Sequence, residues 1–263
     1  MGTTYGVAKG ASLVDLKVLQ RSGSGYQSDF ISAIDDLASL KRANPSGKYV
    51  LNASLGGPFY QPVNSALAAL VATGVTAVVA AGNNDPDACS ISPASEPSVI
   101  TVGSTDQTDA RSDFSDIGTC LDLFAPGSSI LSATNTGDSD TAILSGTSMA
   151  SPHVAGVAAV MLQLGFNPMV DLVNFATADV VTDPGPGSPN LLVYLPKAYV
   201  PGSPTDSPTT RRPTVNPTPR PTPTPYTRWP TSAPTREGCF NWIQDGFSSI
   251  TGFLSGRNKA DSP

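Results

Sequence analysis

Residues Val154–Leu162 read Val-Ala-Gly-Val-Ala-Ala-Val-Met-Leu, small and apolar on every side of a helix. A helix without a polar face belongs in a core, so the rest of the chain must supply layers to cover it. Directly ahead stands Ser145-Gly146-Thr147-Ser148-Met149-Ala150-Ser151-Pro152-His153. Ser148 therefore falls at the N-terminus of a buried helix, beside backbone N–H groups without intrahelical partners and at the positive end of the dipole. Both features favour an oxyanion next to a nucleophilic hydroxyl. They equally describe a serine that caps a core helix, and chemistry alone leaves the two readings side by side.

Short apolar runs alternate with helical patterns over the first two hundred residues. Leu13–Leu19 alternates in part and reads as a strand. Ser28–Lys41 carries Phe30, Ile31, Ile34, Leu37 and Leu40 at helical spacing, with Ser28 as its expected cap. Lys48–Ala53 is a second strand, Val63–Thr73 an Ala/Leu-rich helix ended by Gly74, and Val75–Ala81 a continuous apolar run suited to a strand covered on both faces. Ser98–Val102 and Leu121–Phe124 add two short strands. This alternation predicts an α/β fold, a parallel β-sheet flanked by helices.

The predicted globular part is 1–198. In 199–236, eleven prolines and ten threonines carry five arginines between them. Proline favours extended polyproline II and removes backbone donors, so this stretch is predicted to be a disordered, semi-rigid linker open to O-glycosylation. A tail, 237–263, has Phe240, Trp242, Ile243, Phe247, Ile250, Phe253 and Leu254 in a rough stripe, an amphipathic helix weakened by Gly246 and Gly252.

Charge divides unevenly: residues 1–199 hold 8 Lys/Arg against 17 Asp/Glu, and residues 200–263 hold 7 against 4. The acidic body argues against a nucleic-acid partner. No apolar run approaches the ~20 residues of a membrane span. Met1-Gly2-Thr3-Thr4-Tyr5 has neither the basic start nor the apolar stretch of a signal peptide. Three cysteines, Cys89, Cys120 and Cys239, allow at most one bridge within the chain. Asn52-Ala53-Ser54 is a glycosylation sequon, but it overlaps a predicted strand, so occupancy is not expected.

The segment Gly146-Thr147-Ser148-Met149-Ala150-Ser151-Pro152-His153-Val154-Ala155-Gly156 resembles the serine motif of the subtilases, closest to the proteinase K-like branch. Tyr5–Lys9, Ser54–Gly57, Ala80–Asn84, Ser92–Pro97 and Pro189–Leu192 follow the family's order, and the resemblance covers roughly residues 2–195. It implies the three-layer subtilisin-like fold, with Ser148 as nucleophile and Asn83 as oxyanion donor. Gly23, Ser24 and Gly25 on one side and Ser54, Leu55 and Gly56 on the other would hold an extended peptide, with Gly82 on the far wall of the specificity pocket. Small, uncharged walls suggest cleavage after apolar or aromatic residues.

The resemblance further implies a Cys89–Cys120 disulfide, hence an oxidising compartment, against two inert thiols. It implies a structural calcium ion on Asp122 with the carbonyls of Pro97 and Val99, oxygen donors that suit a hard cation. A solvated aspartate is the alternative for Asp122.

A protease of this family also needs a histidine base and an aspartate that orients it. The chain holds one histidine, His153. Five residues beyond Ser148 on one helix means ~500° of rotation and ~7.5 Å of rise, too far for the ~3 Å contact of a general base. In the family the Asp and His motifs precede Tyr5–Lys9, so the chain starts where the histidine motif would end. Either the start was placed on an internal methionine or a short product exists. The expectation is a secreted, monomeric serine endopeptidase in the parent protein, acting on proteins or peptides, and no triad-level proteolysis by the chain as written. The alternatives are a peptide-binding protein without catalysis, a truncated product, and a surface module that works through its tail.

Overall fold

The computed structural model describes residues 4–84 and 87–196 and, from the C-terminal part, residues 239–240 and 250–255. The first elements are β1 (Ser12–Leu16), β2 (Gly25–Tyr26), α1 (Gln27–Ala43), β3 (Lys48–Ala53), β4 (Gly57–Pro58), α2 (Gln61–Ala72) and β5 (Thr76–Ala80). A short 3-10 turn leads into β6 (Ile91–Ser92), β7 (Ile100–Thr105), β8 (Leu123–Pro126), β9 (Ile130–Ala133) and β10 (Thr141–Leu144). Then come α3 (Thr147–Leu164), α4 (Pro168–Phe175), β11 (Thr177–Ala178), β12 (Leu191–Leu192), β13 (Cys239–Phe240) and β14 (Ile250–Ser255).

The main sheet has eight strands in the order β1-β14-β3-β5-β7-β8-β12-β11. From β3 to β12 every neighbouring pair is parallel. Strand periodicity explains the three layers: Tyr49, Leu51, Ala53, Ala77 and Val79 point to one face, where α1 and α2 pack. Val50, Val78, Ile100, Val102 and Leu123 point to the other, against α3 and α4. The apolar run of β5 is buried throughout because both faces are covered. α3 is the expected core helix, with Ala150, Val154, Ala155, Ala158 and Met161 each fully buried.

Several local expectations shift. Ser28 does not cap α1; Tyr26 takes that place without a side-chain bond. α4, with Pro168 at its start and Asn167 accepting from Met169 N–H, and the β9–β10 hairpin are additions to the expected elements. The 199–236 linker lies outside the described residues. In the 237–263 tail the described residues form strands rather than an amphipathic helix: β14 pairs with β1 on one side and β3 on the other, antiparallel to both. Backbone pairing on two sides outweighs a helical stripe that two glycines already weaken. Among the described residues no single helix is long and apolar enough to cross a membrane.

Candidate active site

The head of α3 is held by one side chain. Asn83, on the loop after β5, accepts from Thr147 N–H at 2.8 Å and from Thr147 Oγ1–H at 2.7 Å, both through Oδ1. Thr147 Oγ1 in turn accepts from Gly82 N–H at 3.1 Å. Two donors on one oxygen fix the sense of the amide, so Nδ2 is the end left to face outward. That nitrogen lies 3.2 Å from where a Cβ on Gly146 would stand, so Gly146 leaves it room. Met149 N–H is taken by Gly146 O at 2.9 Å. Ser148 N–H, between these two, has no acceptor among the described residues. A backbone N–H and a side-chain amide thus flank Ser148 at a helix N-terminus, an arrangement that can stabilise a developing oxyanion.

A second network ties Ser148 to β3. Pro152 lacks the N–H that would bond the Ser148 carbonyl four residues earlier. Ser54 Oγ–H supplies that donor at 2.8 Å. Asn52 Nδ2 donates to Ser54 Oγ at 3.1 Å, and Ser151 Oγ–H donates to Asn52 Oδ1 at 2.7 Å. Asn52 is 3 % exposed and fully engaged, which closes the sequon. Thr147, Asn52, Ser151 and Pro152 join the expected residues here, and the proline inside an otherwise regular helix is the one signal of them that the sequence carries.

Ser54, Leu55, Gly56, Gly82, Asn83 and Ser148 come together with Ala80 and Thr147 around one shallow cleft. Gly82 lines it, and its backbone independently requires glycine. Its φ is +118°, and a Cβ would strike Asp116 Oδ2 at 2.1 Å. Of the predicted edge Gly23-Ser24-Gly25, only Gly25 enters a strand. Gly23 N–H bonds Gln20 O, and Gln20 N–H bonds Ser24 O, closing a turn. Gly25 is required by close approach, since a Cβ there would meet Val18 O at 2.2 Å.

His153 is not brought to Ser148. Its Nδ1–H donates to Met149 O at 2.8 Å, back along its own helix. The protein acceptor facing Ser148 Oγ–H is the Ser54 carbonyl at 3.4 Å, a weak contact and not a base. Cys89 and Cys120 form a disulfide with Cα atoms 5.3 Å apart. Asp122 is partly exposed next to β7, with Oδ2 accepting from Thr101 N–H at 2.8 Å. Among the described residues no three His, Cys, Asp or Glu side chains gather as a metal cluster. One carboxylate with backbone carbonyls, completed by water, still fits the all-oxygen shell of calcium.

Fold and site together define a class, an α/β protein that presents a serine and an amide donor at the head of a core helix, beside the ends of parallel strands. The chain belongs to the subtilase family: the profile described as "Subtilase family" matches residues 2–175. A curated relative, "Extracellular serine proteinase" of Thermus sp. (strain Rt41A), is 46% identical over 202 residues, covering 74% of this chain and 48% of that protein. "Subtilisin-like protease 3" of Arthroderma benhamiae is 47% identical over 196 residues, covering 73% of this chain and 49% of that protein. The chain spans about half the length of the curated relatives it matches. A crystal structure of a cold adapted subtilisin-like serine proteinase superposes with a TM-score of 0.63 at 47% identity, covering 67% of this chain and 64% of that one.

Proposed function

We propose that the chain carries the nucleophile half of a secreted serine endopeptidase. Ser148 is the nucleophile, Asn83 Nδ2 and Ser148 N–H form the oxyanion hole, and an extended peptide lies between the Gly23–Gly25 and Ser54–Gly56 segments with Gly82 behind it. The observation that carries this reading is the Asn83 amide, whose sense is fixed by Thr147 so that its N–H groups remain for a ligand beside Ser148. The attack on a peptide carbonyl needs a base to take the Ser148 proton. His153 is committed to Met149 O, so the chain by itself lacks triad-level turnover. Secretion is supported by the disulfide and by the word "Extracellular" in a relative's name. Residues 1–198 form the protease part, 199–236 a linker and 237–263 a tail. Pro97, Val99 and Asp122 would hold calcium, which would tie the start of β7 to the segment before β8.

The test is hydrolysis of a peptide thiobenzyl ester, whose good leaving group asks little of a general acid. The expected result is slow cleavage through Ser148, abolished in Ser148→Ala, reduced in Asn83→Ala and accelerated by added imidazole as an external base. Loss of such a donor costs about 10²- to 10³-fold, a magnitude measured on the corresponding asparagine of this family. Cleavage that survives Ser148→Ala overturns the reading. The engaged His153 favours a second reading, a protein that binds extended peptides without cutting them; tight peptide binding with no imidazole-dependent turnover selects it.

A further inference from the structure

The tail lies where the peptide is expected. β13 pairs antiparallel with β2, Cys239 opposite Tyr26 and Phe240 opposite Gly25. It also runs beside β4, which continues the Ser54–Gly56 segment. Gly25, on one flank assigned to an extended substrate, thus pairs with the tail, and the strand that directly follows the other flank lies beside the same two tail residues. Ten residues on, β14 enters the main sheet between β1 and β3, with Gly252 opposite both Val14 and Leu51. β14 is paired along its full length on the β3 side, from Ile250 opposite Ala53 to Ser255 opposite Lys48, and so serves as an anchor. β13 is two residues long and forms the smaller attachment.

We propose that the C-terminal tail is a tethered strand ligand of the peptide-binding edge, with β13 in the place of substrate and β14 holding it there. The inference rests on the assignment of Gly23–Gly25 and Ser54–Gly56 as the peptide edge. Strand addition explains the geometry: main-chain hydrogen bonds to an open edge do not depend on the sequence added. Tethering explains how so short a strand competes, because an attached segment acts at an effective concentration in the millimolar range. A two-residue pairing is also displaceable, so a longer free peptide exchanges with it once present in excess.

The native Cys239 provides the test in the full chain. Tyr26→Cys places a thiol directly opposite it, and Ser22→Cys places one in the turn outside β2 as a control. After mild oxidation, peptide mapping is expected to find an intrachain 26–239 link in Y26C and no 22–239 link in S22C. Adding Phe240→Pro to Y26C takes the N–H from one of the two residues of β13 and fixes its φ, and is expected to cut the yield of the link at least about 5-fold. Separately, a fluorescein-labelled Ala-Ala-Pro-Phe peptide, read by anisotropy, is expected to bind F240P about 10-fold more tightly than the parent chain. An absent link, or one formed only between molecules, overturns the docking of the tail. A link accompanied by equal peptide binding in parent and F240P overturns the claim that β13 occupies the substrate's place. A link with no peptide binding by either chain overturns the peptide-edge assignment itself.

Discussion

The main sheet has two unlike halves that meet at β3. On the β5 side the strands β3, β5, β7 and β8 are each parallel to the next and follow one another in sequence, and α3 seals one face with small side chains. On the β1 side the neighbour of β3 is β14, which comes from about two hundred residues away and runs the opposite way. Local strand order closes short loops and is specified by apolar burial on both faces. The remote strand must close a long loop and rests on backbone pairing. The first half behaves as the core of the fold and the second as an attachment to it.

The largest effect expected from this contrast is in the parallel half. Phe124 on β8 is fully buried against Leu121 and Val181, and Phe124→Ala should cost about 3–5 kcal/mol in urea unfolding. Removing the Cys89–Cys120 bridge comes next: it closes 31 residues and should contribute about 3–4 kcal/mol by loop entropy, measured as a shift in the same curve for the double serine variant. Amide hydrogen exchange then compares the halves directly. Amides of β5 and β7 should exchange only through global unfolding, those of β14 at least about 10²-fold faster through local release. Equal protection in both halves breaks the comparison. Ser54→Ala leaves the Ser148 carbonyl without a donor and should cost about 1–3 kcal/mol, with Pro152→Ala in the same chain restoring part of it through a helical N–H.

The smallest effect concerns acid. Asp106 at the end of β7 accepts from the Thr108 hydroxyl, Thr108 N–H and Ala110 N–H, which hold its carboxyl below the ordinary 3.8. A carboxyl lowered on folding adds stability above its unfolded pKa, and this is lost as pH falls through the folded value. Stability should therefore drop slightly more steeply below about pH 4 in the parent than in Asp106→Asn, read by melting temperature across that range.

The same division governs what the sequence discloses. Lys48–Ala53 and Val75–Ala81 are legible because a strand buried on both faces must be apolar without interruption. Ser148 and Asn83 are legible because family motifs surround them. Thr147, Asn52 and Ser151 are not, since a polar side chain shows its partner only after distant segments meet. α4 depends on Asn167 and Pro168, a start signal whose eight-residue helix is too short for a clear period. The tail reads as a weak helix because periodicity reports a segment's own preference and not the open strand edge it meets.

The twice-anchored oxygen of Asn83 has one more consequence. An amide free to turn would present either pole of its dipole to whatever enters the cleft. This one cannot turn without losing both Thr147 bonds. At the oxyanion position proposed for it, such an amide would act as a one-way sign filter, admitting a ligand with negative charge there, such as a tetrahedral boronate, and turning away an ammonium group.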